Sequence, residues 1–247
     1  GAGVRAAADA GDGAERTAHL AALLGPEAHA LVADVSSETA MENLARHVAE
    51  VHGTVDVLVN NAGIGAAGSF LDTPVETWRA VIDVNLWGVI HGCRLFGQQM
   101  AARGVGGHIV NVASAAAFQP SRTLPAYCTS KAAVLMLSEC LRAELAEKRI
   151  GVSAICPGLV ATNITRTARI AGGDEAAARE AATAFYARRD FGPEGVADAI
   201  LRAVRENSDV VAVTPEAQVL HGLARFAPYA LRALSGVDWL ASDRREA

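Results

Sequence analysis

The sequence has no paired metal or redox ligands. Its four cysteines, Cys93, Cys128, Cys140 and Cys156, are scattered without CxxC spacing, and its seven histidines form no HExxH or comparable pair. No metal site is therefore expected. Nothing at the N-terminus has the charged-then-apolar pattern of a secretory signal, so a reducing cytoplasm is the economical location. No run approaches the ~18 uninterrupted apolar residues of a membrane span, and membrane association is not expected. Positive charge is not in excess either: 22 Lys and Arg against 27 Asp and Glu leave a net charge of −5. Such a balance offers no electrostatic footprint for nucleic acid. No internal repeat, low-complexity linker or composition shift divides the chain. What is present is 247 residues, 51% hydrophobic and 20% charged, enough for one large domain with a sizeable core and too apolar for wholesale disorder. Residue 1 is Gly rather than Met, so it is not expected to be the natural start.

Short β-branched or apolar runs alternate with longer stretches of helical period. This is the signature of βαβ units around a parallel sheet buried on both faces, a doubly wound, Rossmann-like α/β fold. Strands are expected near Val4–Ala8, Ala28–Ala33, Val55–Val59, His108–Ala113, Gly151–Cys156 and Val210–Val213. Thr73-Pro74-Val75-Glu76 reads as a cap, a proline at the first helical position and a glutamate three after the cap, opening a helix towards Arg103. Gly192-Pro193-Glu194 opens another to about Asn207, and a third runs from about Ala126 to Lys148. Residues 1–214 form the domain proper, and residues 215–247 a helical extension of it.

One part of that fold has no counterpart. A dinucleotide-binding unit begins with a strand, a glycine-rich turn and a helix, on the order of 25 to 30 residues. Gly1-Ala2-Gly3 and Gly11-Asp12-Gly13 each satisfy only the first part of GxGxxG, and neither follows an expected strand. The Val4–Ala8 strand therefore reads as the second of the unit. Either the chain is cut from a longer protein, or a stretch is absent, or the protein lacks the turn. The first two are favoured, because a sheet without its central strand exposes two unpaired edges.

Ligands of open α/β sheets bind outside the carboxyl ends of the strands. In order, those ends carry Asp9, Asp34-Val35, Asn60-Asn61-Ala62-Gly63, Ser114 and Pro157-Gly158. Tyr127 and Lys131 are four apart in a helical segment and so project from one face. A phenol with a reference pKa of ~10 is a poor acid–base catalyst at neutrality, and a nearby ammonium lowers it. Ser114 could then hydrogen-bond a carbonyl or alcohol oxygen while Tyr127 exchanges its proton. No side chain can accept a hydride, so this chemistry implies a nicotinamide.

From Val4 to about Val213 the chain resembles the short-chain dehydrogenase/reductase family. The motifs that carry the resemblance are Asn60-Asn61-Ala62-Gly63, Asn85 within Asp83-Val84-Asn85-Leu86, Ser114, Tyr127-Cys128-Thr129-Ser130-Lys131 and Pro157-Gly158. It implies Tyr127 as general acid/base, Ser114 orienting the substrate oxygen, Lys131 binding the nicotinamide ribose and lowering the Tyr127 pKa, and Asn85 holding a water in a proton relay. It also implies that Asp34 and Val35 contact adenine and that Asn61, Ala62 and Gly63 line the adenosine side. Pro157, Gly158, Val160 and Thr162 would meet the nicotinamide. Asp9 matches the acidic residue that grips the adenosine ribose. A carboxylate there repels a 2′-phosphate, favouring NAD over NADP. The family's habit of pairing the Tyr127 helix implies a homodimer or homotetramer. The departure from the family is the missing TGxxxGxG turn.

The stretch from Asn163 to Asp190 reads as a helical flap over the substrate. Beyond it, Val219, Leu220, Leu223, Phe226, Leu231 and Leu234 recur at helical spacing, an apolar stripe for core or oligomer contact. This tail is also similar to short-chain dehydrogenase domains that follow an α/β-hydrolase domain in some bacterial two-domain proteins. The expected function is interconversion of a secondary alcohol and a ketone, or of an alcohol and an aldehyde. Phe118, Leu159 and Ile164 would make the pocket apolar and its substrate lipophilic. The competing reading is a non-catalytic binding or assembly domain without productive cofactor binding. A serine hydrolase built on Ser114 and Lys131 is disfavoured by the lack of a GxSxG elbow.

Overall fold

The computed structural model describes residues 3–7, 28–160, 164, 168–172, 176, 180 and 191–234. Its strands are β1 (Gly3–Ala7), β2 (Ala28–Val32), β3 (Val57–Asn60), β4 (Ala66–Ala67), β5 (Gly107–Val112), β6 (Ile150–Cys156), β7 (Arg169–Ile170) and β8 (Val210–Ala212). The helices are α1 (Glu38–His52), α2 (Val75–Ile82), α3 (Gly88–Arg103), α4 (Pro125–Leu145), α5 (Pro193–Glu206), α6 (Pro215–Phe226) and α7 (Pro228–Leu234). Every strand pair is parallel, as expected of α/β units.

The main sheet runs β3-β5-β6-β8, β1 pairs with β2 separately, and β4 pairs with β7. Among the described residues, β1 and β3 are each paired along one edge only. Val57 and Val59 of β3 are correspondingly 43% and 41% exposed, an unusual state for valines in a strand of this type.

Adjacent residues of β5 show why the central strands read as continuous apolar runs. Ile109 packs with Met100, Val134 and Val152 on the face covered by α3 and α4. Val110 packs with Ile155 and Ala203 on the face covered by α5. Both are fully buried, so both faces of the strand are covered. A smaller cluster joins Met41, Leu44 and Val48 of α1 to Phe96 of α3.

The helix expected from Pro74 towards Arg103 is interrupted by one π-helical turn, Asp83–Trp87, between α2 and α3. Its start also differs. Pro74 is the cap residue, with no side-chain hydrogen bond, and the Thr73 hydroxyl donates to Ser69 O at 2.6 Å. Helix α3 ends at Gly104, whose φ of 75° suits glycine. Beyond β8 the described residues form α6 and α7, as far as Leu234, and residues 235–247 of the expected extension lie outside them.

Candidate active site

Because β3, β5, β6 and β8 are parallel neighbours in one sheet, their carboxyl ends share one edge. The register aligns Asn60 with Asn111, and Cys156 with Ala212. Asp34-Val35, Asn61-Ala62-Gly63, Ser114 and Pro157 to Val160 follow the strands β2, β3, β5 and β6 respectively. Asp9 and Thr162 lie outside the described residues. So does most of the Asn163–Asp190 stretch. Its described part includes the strand β7, which pairs with β4. The segment is therefore not helical throughout, and it returns against the loop that follows Gly63.

The π-helical turn is anchored by Asn85, which is fully buried. Its Oδ1 accepts the Ile64 N–H at 2.8 Å, and its Nδ2 donates to Ile64 O and to Ser130 Oγ, both at 3.0 Å. Ser130 Oγ donates in turn to Tyr127 O at 2.8 Å. Asn85 therefore ties the loop after β3 to the helix carrying Tyr127. Both amide protons are engaged, so a water at Asn85 must be received by an oxygen.

Lys131 is 3% exposed. Its Nζ donates to Val112 O at 2.9 Å and lies 5.8 Å from the centroid of the Tyr127 ring. Gly63 closes the same space: a Cβ there would lie 3.3 Å from Asn85 Oδ1 and 3.4 Å from Lys131 Nζ. Only a residue without a side chain leaves both atoms undisturbed. Burial pushes the Lys131 ammonium down to about 8, with Cys156 opposing the shift, so Lys131 remains mostly charged at neutral pH. Burial likewise pushes the neighbouring Cys156 thiol up to about 12, leaving it an inert packed residue.

Ser114 follows β5 and caps the short turn Ala115–Ala117, its Oγ accepting the Ala116 N–H at 3.1 Å. It is half-buried, as is Tyr127. That turn packs against α4, which brings Ser114 and the Tyr127 helix to the same wall. The next loop is joined to it by the Ala115 N–H, which donates to Pro157 O at 2.7 Å.

On the adenosine side, Asp34 is exposed and its Oδ1 accepts from Ser36 N and Oγ at 2.9 and 2.7 Å. Val35 packs so closely on Gly88 that a Cβ at 88 would lie 2.8 Å from it. Asn61 is exposed, and Ala62 is partly buried. Asn60 is structural: its Nδ2 donates to Asn111 Oδ1 at 2.8 Å, and Asn111 Nδ2 donates to Ser138 Oγ at 2.9 Å. These residues form a polar chain across the core. Phe118 is buried and stacks on His221 of α6, with ring centroids 4.7 Å apart. Leu159 and Ile164 are half-buried.

Three participants were not singled out from sequence: Ser130, Thr214 and Glu216. Ser130 sits inside the Tyr127–Lys131 motif, about one helical turn after Tyr127, and was a detectable position. Thr214-Pro215-Glu216 follows the last strand, and a Thr-Pro pair there signals a capped helix at the same sheet edge.

The sequence profile of the short chain dehydrogenase family matches residues 1–171. The chain belongs to this family of oxidoreductases. It is 49% identical over 222 residues to the "Probable oxidoreductase EphD" of Mycobacterium tuberculosis, covering 88% of this chain and 38% of that protein. It thus spans well under half the length of that relative. An "Uncharacterized oxidoreductase SH0585" of Staphylococcus haemolyticus is 31% identical over 182 residues, covering 74% of this chain and 72% of that one. Among solved structures, a short chain dehydrogenase/reductase from Burkholderia phymatum in complex with NAD superposes with a TM-score of 0.82 at 28% identity, covering 92% of this chain and 85% of that one.

Proposed function

We propose that this protein interconverts a secondary alcohol and a ketone, or an alcohol and an aldehyde, using a nicotinamide dinucleotide, with Tyr127 as general acid/base. The observation that carries the reading is Lys131: a buried ammonium held on Val112 O, one helical turn from a phenol and 5.8 Å from its ring. Burying a charge is costly, and stabilising a phenolate is a function that would account for keeping one here.

In this reading Ser114 donates to the substrate oxygen, Tyr127 passes it a proton or takes one, and Lys131 keeps the phenol acidic while binding the nicotinamide ribose. Asn85 receives a water that refills the proton. Gly63 would line the adenosine side with Asn61 and Ala62, its lack of a side chain letting that loop lie close to Asn85 and Lys131. Asp34, Val35, Asn61 and Ala62 would hold the adenosine half, and Pro157, Gly158, Val160 and Thr162 the nicotinamide half. The bound nicotinamide supplies the hydride acceptor or donor that side chains lack. NAD is favoured over NADP, through Asp9 at the ribose; the Burkholderia phymatum relative holds NAD. The apolar Phe118 and Leu159 favour a lipophilic substrate.

The partner chain would be a second copy. A groove of about 230 Å³ runs between α3 and α4, lined by Ile90, Gly97, Leu137 and Leu141 with Arg94 and Glu144 also lining it. Apolar lining with charges of both signs suits a self-complementary contact in a homodimer or homotetramer. The four cysteines are free thiols, three of them buried, in keeping with a reducing cytoplasm. Calorimetry of the full-length protein with NAD and NADH tests the reading. Saturable binding of both supports it, and absence of binding would instead establish a non-catalytic domain.

A further inference from the structure

Helix α6 leaves the end of β8 and returns over the loop that follows β6. Thr214 caps it, 1% exposed, its Oγ1 accepting the Ala217 N–H at 3.4 Å. From the first turn, Glu216 Oε1 accepts the Leu159 N–H at 2.9 Å. Between them lies Gly158, where a Cβ would collide with Thr214 Oγ1 and sit 2.6 Å from Glu216 Oε1. Two further contacts brace the arrangement. Pro157 O accepts from the Ala115 N–H at 2.7 Å, and the Phe118 ring stacks on His221, one face of α6, with planes 19° apart. The Ser114 loop, the Pro157–Leu159 loop and α6 therefore hold one another in a closed triangle.

We propose that Glu216 is a positioning residue that fixes the Pro157–Leu159 backbone for contact with the nicotinamide end of the cofactor. The inference rests on the dinucleotide reading above. The physical case is that a strand-end loop of this kind has many accessible backbone conformations, and ordering it has an entropic cost. A carboxylate receiving a backbone N–H forms a charge-assisted bond, stronger than a neutral one. The negative charge lies in the first turn of α6, where the helix dipole favours it. A short, glycine-specific loop clamped from behind by a carboxylate presents its other side to the strand-end edge in one conformation.

The test separates the two ends of the cofactor. Binding of NADH and of ADP-ribose, which lacks the nicotinamide, is measured by calorimetry for full-length wild type, Glu216→Ala, Glu216→Asp and Glu216→Gln. Ala and Asp are expected to weaken NADH binding about tenfold or more and to leave ADP-ribose within about twofold. Gln keeps an acceptor at the same reach without the charge and should recover part of the loss. If Ala fails to fold, the Asp and Gln pair carries the comparison. Equal weakening of both ligands, or unchanged NADH binding in Asp, overturns the proposal while leaving the dinucleotide reading intact. A wild-type protein that binds neither ligand overturns both.

Discussion

Asn85 and Ile64 form a closed pair of hydrogen bonds: the Ile64 N–H donates to Asn85 Oδ1 at 2.8 Å, and Asn85 Nδ2 donates back to Ile64 O at 3.0 Å. A side chain thereby does for the loop after β3 what a neighbouring strand would do. The π-helical turn that carries Asn85 inserts a residue between α2 and α3 at this anchor. Such turns cluster at functional sites.

Asn85→Ala leaves the part-buried Ile64 N–H and carbonyl without this partner and removes a donor to the Ser130 hydroxyl. A loss of about 3 kcal/mol is expected in urea unfolding, together with loss of turnover. Asn85→Asp keeps the acceptor for Ile64 N–H but sets a carboxylate against Ile64 O. It should be no more stable than the alanine variant.

Gly63→Ala tests the opposite balance. The added methyl meets Asn85 Oδ1 at 3.3 Å and Lys131 Nζ at 3.4 Å, contacts that small shifts can relieve. Stability should change little. Turnover should fall by about a hundredfold, since displacing reacting groups by a fraction of their spacing is enough to do so. Steady-state rates beside melting curves check this; a variant that is fully active contradicts the placement of Gly63 in the site.

Lys131 makes a signed prediction about pH. Burial holds its folded-state value at about 8, against 10.5 unfolded. Between these values the unfolded chain holds a proton that the folded chain has released, so stability rises with pH across that window. Below pH 8 the buried charge destabilises the fold. Relative to Lys131→Met, wild type should gain about 2 kcal/mol between pH 7.5 and 9.5, read from denaturant unfolding of both proteins at both pH values. A constant difference would mean that Lys131 is not desolvated as described.

Much of this was readable from residue order. Tyr127 and Lys131 are joined by a helix, whose period fixes their common face, and Ile109 and Val110 announce a strand buried on both sides. The π-helical turn was not readable, because it depends on an Asn85 contact to Ile64, 21 residues away. The Glu216 bond spans 57 residues and is hidden for the same reason. The Thr73-to-Glu76 capping pattern was present but misleading: Pro74 is the cap residue, without a side-chain hydrogen bond, and the helix began one residue later. Local signals serve where the determining contact is local, and fail where a distant backbone group decides.

The groove between α3 and α4 predicts assembly. Leu141→Glu places a charge against its apolar lining and should reduce the solution mass measured by light scattering to that of a smaller oligomer or monomer. A wild type that is already strictly monomeric contradicts the proposed contact.

The central claim concerns one oxygen atom. Tyr127→Phe removes the phenol hydroxyl and keeps the ring. With any secondary alcohol that full-length wild type oxidises, NADH production followed by absorbance should fall by about a thousandfold, while the melting temperature stays close to that of wild type. A Phe variant that turns over at near wild-type rate would contradict the account.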